Sequence, residues 1–289
     1  MKKEDFLNLR TWFQNYVRSF YSEDTFISEN VRLKEDHSIR VCENVSKIAI
    51  SEEMDEENYY LALAIALLHD IGRFEQISKY RTFNDRRSEN HALLGIKILK
   101  SERTLTFVSQ EEQEIILTAI QNHNLRNISV ELDGKALLHA RLIRDADKLD
   151  IYKILDDYYV TKTKSPNPAI DHGLPDVPVY SQHLIQDIFN NKIASTDGLS
   201  SCNDMNLTRL AWLFDLNFTE TFRLVKEGCY IEKIIKSLPQ NSEIDAVRDH
   251  LNKYMDSMLD NAEIMKRNFY PLQYLQFELF FFIIHYLLR

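Results

Sequence analysis

Six residues of the chain have the types and the surroundings that divalent metal chemistry needs: His37, His69, Asp70, His91, His123 and Asp145. His69 and Asp70 are adjacent, at the end of the apolar run LALAIALLHDIGR (61–73). A carboxylate that closes a buried helix is costly unless something pairs with it. Imidazole nitrogens and carboxylate oxygens together suit borderline first-row divalent ions. Asp70 has two oxygens and can bridge two ions, while His69 gives a nitrogen to one. A single histidine on an apolar stripe is ordinarily a hydrogen-bonded core group. It is the set, four such histidines with an adjacent His-Asp pair, that points to a metal site.

Helices are the elements available to position these groups. Hydrophobic residues make up 44% of the 289, and there are six glycines and six prolines. So few turn formers fit a mostly helical, all-α chain. Helical spacing predicts helices over about 5–21, 31–50 and 56–70. In the second, His37, Val41, Val45 and Ile48 share one face. A polar, basic loop, KYRTFNDRRS, is expected next. Ser88 is then positioned to cap ENHALLGIKILK, with His91 in its first turn. Ser109 and Glu112 form a capping-box pattern before EQEIILTAIQNH, which ends at His123. Gly134 opens a long helix that contains Asp145.

The stretch 161–180 holds four of the six prolines and reads as a linker. Helical patterns resume in SQHLIQDIFNN, LTRLAWLFDLNFTETFRLVKEG and EIDAVRDHLNKYMDSMLDNA, with a last helix at FELFFFIIHYLLR. Residues 1–160 are expected to form the metal-binding domain. Residues 161–289 are expected to be a helical extension, or one continuous domain with it, that lids the site or builds a homodimer.

The net charge of −9 argues against sequence-independent binding to duplex nucleic acid. Three separated cysteines without a CxxC fit a reduced, cytoplasmic chain with no thiolate zinc site. The N-terminus has no signal-peptide core. The C-terminal apolar run falls short of the roughly 20 residues a membrane span needs.

The order H…HD…H…H…D, with its doublet in LLHDIGR and its last Asp in RDADKLD, resembles the HD-domain phosphohydrolase superfamily over about residues 31–150. RTFNDRRSENHALLG and AIQNHN also resemble a group of bacterial HD proteins. The resemblance implies that His37, His69, Asp70 and Asp145 are the core ligands. It implies that His91 and His123 are the added histidines of the two-metal branch, which includes cyclic-nucleotide phosphodiesterases. Arg73 falls where members place a phosphate-binding Lys or Arg, and Lys148 follows Asp145 by three residues. QNHNLRN lacks the second His and the Gly-Tyr-Pro element of the HD-GYP subgroup. The added domains of guanosine tetraphosphate hydrolases and a Gly-rich phosphate loop are also absent.

The expected activity is hydrolysis of a phosphate ester of a nucleotide-like substrate by a metal-activated bridging hydroxide. Asp70 would bridge, His37, His69 and Asp145 would complete one ion, and His91 and His123 the other. Four imidazoles favour two ions drawn from Fe, Mn, Zn, Ni or Co over Mg alone. Arg73 and Lys148 would stabilise phosphate charge. Lys79, Arg81, Arg86 and Arg87 would steer the anion, unless that loop is simply solvated. The alternatives are a single-metal 5'-nucleotidase-type phosphatase and a non-catalytic nucleotide-binding regulator. His139, His172, His183, His250 and His285 show no partner pattern. Trp212, Phe214, Leu216, Phe218 and Leu224 read as core, with a base-stacking wall as the alternative.

Overall fold

A computed structural model describes residues 1–161 and 174–269. It is all-α, with no strand among the described residues. Helix α1 (Lys3–Arg18) buries Leu9, Phe13 and Val17 along one stripe. Helix α2 (Thr25–Ser51) begins earlier than residue 31 because Asp24 caps it, accepting from the Ile27 N–H. Helix α3 (Glu56–Leu68) is buried at every position from Leu61 to Leu68. A helix apolar on all sides must be surrounded, and α3 packs against α1, α2, α6 (Gln110–His123) and α7 (Gly134–Thr161).

Beyond the helix expected over 56–70, Gly72 opens a further helix, α4 (Gly72–Tyr80). The glycine serves close packing. A Cβ there would lie 2.2 Å from the His91 carbonyl oxygen and 2.7 Å from the Gly95 nitrogen. This draws α4 against α5 (His91–Ser101). The loop therefore starts only at Arg81, which closes α4 with φ +53°, and it contains a 3-10 turn at Asp85–Arg87. Asn90, not Ser88, caps α5, accepting from the Leu93 N–H. The Ser88 hydroxyl instead donates to the Asn84 carbonyl and accepts from Gln76. The capping box of Ser109 and Glu112 forms on α6.

After the linker come α8 (Gln182–Phe189), α9 (Cys202–Leu210), a 3-10 turn (Ala211–Asp215), α10 (Thr219–Glu227), α11 (Tyr230–Ser237) and α12 (Ser242–Phe269). The single helix expected over LTRLAW…LVKEG is thus interrupted at Leu216–Phe218, where the chain is extended. The Asp145 carboxylate accepts the backbone N–H groups of Asn217 and Phe218 there. That satisfies donors which a continuous helix would have paired internally.

Two apolar clusters result. One is built from α1 to α7 as far as Ala146, and Phe218 joins it. The other begins at Leu149 and Tyr152 and takes in α8 to α12. The long helix α7 serves both. Leu216 and Phe218 of the expected core stripe are buried, and Trp212, Phe214 and Leu224 pack against the second cluster in part. The C-terminal FELFFFIIHYLLR with His285, and His172 in the linker, lie outside the described residues. Among the described residues no helix is long and apolar enough to cross a membrane.

Candidate metal centre

The ends of three helices converge on the middle of α2. His37 lies on the apolar stripe of α2, His69 and Asp70 follow α3, His91 opens α5 and His123 closes α6. All five are buried. Asp70 stands between two pairs of imidazoles. Its Oδ2 is 3.4 Å from His37 Nε2 and 3.7 Å from His69 Nε2. Its Oδ1 is 3.3 Å from His91 Nε2 and 3.7 Å from His123 Nε2. Within the pairs, the Nε2 atoms of His37 and His69 are 3.3 Å apart, and those of His91 and His123 are 3.0 Å apart.

The other nitrogen of each ring is held from behind. His69 Nδ1 donates to the Ala66 carbonyl at 2.7 Å, and His123 Nδ1 to the Ile120 carbonyl at 2.6 Å. His91 Nδ1 faces Asp85 Oδ2 at 2.7 Å, and His37 Nδ1 faces Asp150 Oδ2 at 2.6 Å. Arg40 fixes Asp150 in turn, with contacts of 2.7 and 3.1 Å. Carbonyls and carboxylates only accept, so these partners assign the proton to Nδ1 and turn each Nε2 lone pair inward. Two lone pairs 3.0 Å apart repel unless a proton or a metal cation lies between them. Imidazoles oriented by such partners, around a carboxylate, fit a divalent ion.

The electrostatics agree. Burial alone would lower the His37 imidazole, but hydrogen bonds to Asp147, Asp150 and Asp70 raise it to about 10. Excess negative charge there is held by a proton in the absence of another cation. Burial and the Arg73 guanidinium instead lower His91 to about 3, against the pull of Asp85. Burial would raise the Asp70 and Asp147 carboxyls. Lys34 and the imidazoles hold Asp70 well below the carboxylate range, and His37 and His69 do the same for Asp147.

Asp145 was expected in this cluster and is elsewhere. Its carboxylate is buried against the extended segment, accepting from the Asn217 backbone at 2.9 Å, Asn217 Nδ2 at 2.9 Å and the Phe218 backbone at 3.0 Å. Asp147 takes the position instead, its Oδ1 3.1 Å from His37 Nε2 and 3.7 Å from His69 Nε2. Two residues along a helix turn the side chain by about 200°, so the two carboxylates face opposite neighbours. Asp150, three residues after Asp147, shares its side and flanks His37 from behind. That spacing was the available signal.

The basic residues separate likewise. Arg73 Nε, a buried donor without a hydrogen bond, is 3.5 Å from Asp70 Oδ1. Its Nη1 donates to Phe83 O, Gln76 and Asp85. A cavity beside Asp70 is lined by Arg73 and Lys148, but Lys148 is paired with Asp215 at 2.6 Å, beside the Arg144–Asp215 ion pair. Burial and Arg144 lower its ammonium. Arg86 and Arg87 line an adjoining cavity, with Arg86 bonded to Asp197. Arg81 pairs with Asp24 over the Phe26 ring, and Lys79 pairs with Glu75; neither lines these cavities. Lys34 went unread, although it precedes His37 by one turn of α2. Its Nζ is 2.6 Å from Asp70 Oδ2. Asp85 was hidden in a loop that reads as solvated. His139 is buried near Asn58, away from the cluster.

No match is found among curated proteins or among solved structures. The family model for the HD domain matches residues 35–152. HD domains bind divalent metals and are typical of metal-dependent hydrolases. Every residue of the cluster lies in the stretch that matches the HD-domain model.

Proposed function

We propose that the chain is a metal-dependent phosphohydrolase that hydrolyses a phosphate ester of a nucleotide-like substrate at a two-ion site. The observation that carries this reading is the division of Asp70: one oxygen faces His37 and His69, the other His91 and His123. His37, His69 and Asp70 would hold one ion, with Asp147 beside His37 and His69, and Asp70, His91 and His123 the other. The imidazole-rich set favours Fe, Mn, Zn, Ni or Co over Mg alone. Divalent ions there supply Lewis acidity, which lowers the pKa of a bound water and draws charge off phosphoryl oxygens.

The chain's own residues do the rest. Asp85, Asp150 and the carbonyls of Ala66 and Ile120 fix the ring orientations, so no reorganisation is needed as ligands engage. Arg73 and Lys34 line the cavity beside Asp70 and offer positive charge to an anionic ester. Arg144 and Lys148 secure Asp215 on the cavity wall, which brings residues after the linker to the site. Residues 1–160 thus act as the metal-binding domain, and the extension supplies part of its wall.

The test is turnover of p-nitrophenyl phosphate, bis(p-nitrophenyl) phosphate and nucleoside monophosphates and cyclic nucleotides by protein reconstituted with Mn, Fe, Co, Ni or Zn. Activity that is lost on chelation and in Asp70→Asn supports the reading. No turnover with any metal, by protein that binds about two ions per chain, refutes it.

A further inference from the structure

Two adjoining cavities open at the cluster, and they differ in size and lining. The smaller, about 320 Å³, is lined by Asp70, Asp147, His91, His123 and cationic side chains. The larger, about 620 Å³, has an apolar wall that includes Leu33, Phe83, Leu199 and Met205, and a basic side with Arg86 and Arg87. Trp212 lines both. It lies outside the stretch matched to the HD domain, on the 3-10 turn Ala211–Asp215. That turn is held at its far end, where Arg144 and Lys148 bind Asp215. The Tyr152 ring packs 5.9 Å from the indole. The half-buried indole N–H has no hydrogen-bond partner among the described residues.

A preorganised aromatic ring that lines both the compartment at Asp70 and Asp147 and a larger one with an apolar wall suits a ligand that joins an anionic group to a ring. We propose that Trp212 is a specificity-determining residue. It receives an aromatic ring on the alcohol portion of the phosphate ester, in the larger cavity, while the phosphate lies at the cluster. Ring stacking on an aromatic side chain contributes about 1–3 kcal/mol, or about 5- to 150-fold in affinity, and a preference of about tenfold lies within that range. This rests on the proposed function only for the place of the phosphate.

The experiment is calorimetric titration of the metal-loaded protein with 1-naphthylphosphonate and methylphosphonate, neither of which can be hydrolysed. Wild type is expected to bind the aromatic phosphonate about tenfold more tightly. Trp212→Ala should reduce that ratio about tenfold, and Trp212→Phe should restore most of it. Using the ratio removes any general loss of fold or metal, which affects both ligands. No preference in wild type, an unchanged ratio in Trp212→Ala, or a ratio in Trp212→Phe as low as in Trp212→Ala overturns the proposal. A Trp212-dependent preference without turnover of any ester leaves the proposal standing and refutes the hydrolase reading. Turnover with no Trp212-dependent preference does the reverse.

Discussion

Asp145→Asn and Asp147→Asn sit two residues apart on α7 and should fail in different ways. The Asp145 carboxylate accepts three donors, the backbone N–H of Asn217 and of Phe218 and the Asn217 side-chain amide. An asparagine keeps one oxygen and puts an NH₂ where the other was, leaving at least one buried N–H without an acceptor. That costs about 1–3 kcal/mol. The surviving bonds lose their charge assistance, at about 1 kcal/mol each. Burial, which pushes the Asp145 carboxyl above its usual range, offsets part of this. A net loss of about 2–3 kcal/mol lowers Tm by about 5–10 °C in a chain of this size, while metal content stays at the wild-type level. Asp147→Asn removes the carboxylate 3.1 Å from His37 Nε2. Loss of an outer partner weakens metal binding about 10–100-fold, and loss of a ligand should exceed 100-fold at that ion. Elemental analysis after dialysis against a weak chelator, with thermal unfolding of the loaded protein, separates the two. Metal lost from Asp145→Asn and fully retained in Asp147→Asn would refute the assignment.

Asp70→Asn should empty both ion sites together, and elemental analysis showing one site still full would count against a shared carboxylate. Chelated protein should be most stable near pH 6.5. His37, raised to about 10 when folded, contributes stability below 6.5 that is lost as pH climbs through 10. His91, lowered to about 3, costs stability as pH falls from 6.5 towards 3. Thermal unfolding with chelator from pH 3 to 10 reads both arms, and a flat profile above 6.5 would sink the His37 account. Gly72→Ala sets a Cβ against the His91 carbonyl and the Gly95 nitrogen, backbone atoms that cannot rotate away. It should cost about 3 kcal/mol and reduce metal content by displacing His91; a variant with wild-type Tm and metal content would contradict the close approach.

The histidines were legible because each lies on a helical stripe or at a helix end that the sequence marks, as His123 closes the helix that the Ser109–Glu112 box opens. The last carboxylate was not, and α7 explains why. Leu142, Ile143, Ala146, Leu149 and Tyr152 bury it against two clusters. Periodicity finds the faces of a helix, but when both are apolar it cannot say which one meets the histidines. Helix α4 went unread for a related reason: a glycine that ends a helix and one that admits a neighbouring helix, as Gly72 does, look alike in one dimension. Asp85 and Trp212 reach the cavities only through tertiary folding, from a loop and from beyond the linker.

The two-sided role of α7 also fixes its length. Asp147 faces the imidazoles and Asp150 stands behind one of them, while Arg144, Asp145 and Lys148 grip the segment at 215–218. Inserting one residue among these positions turns everything beyond it by about 100°. The metal-facing acid and the anchors of the extension could then not be satisfied at once. Insertions and deletions should therefore be excluded between residues 144 and 150, yet tolerated in the turns near 130, where Val130 is exposed and little is packed. A library of single-codon insertions, screened for metal-loaded soluble protein, would map this as a sharp gap over two turns of one helix.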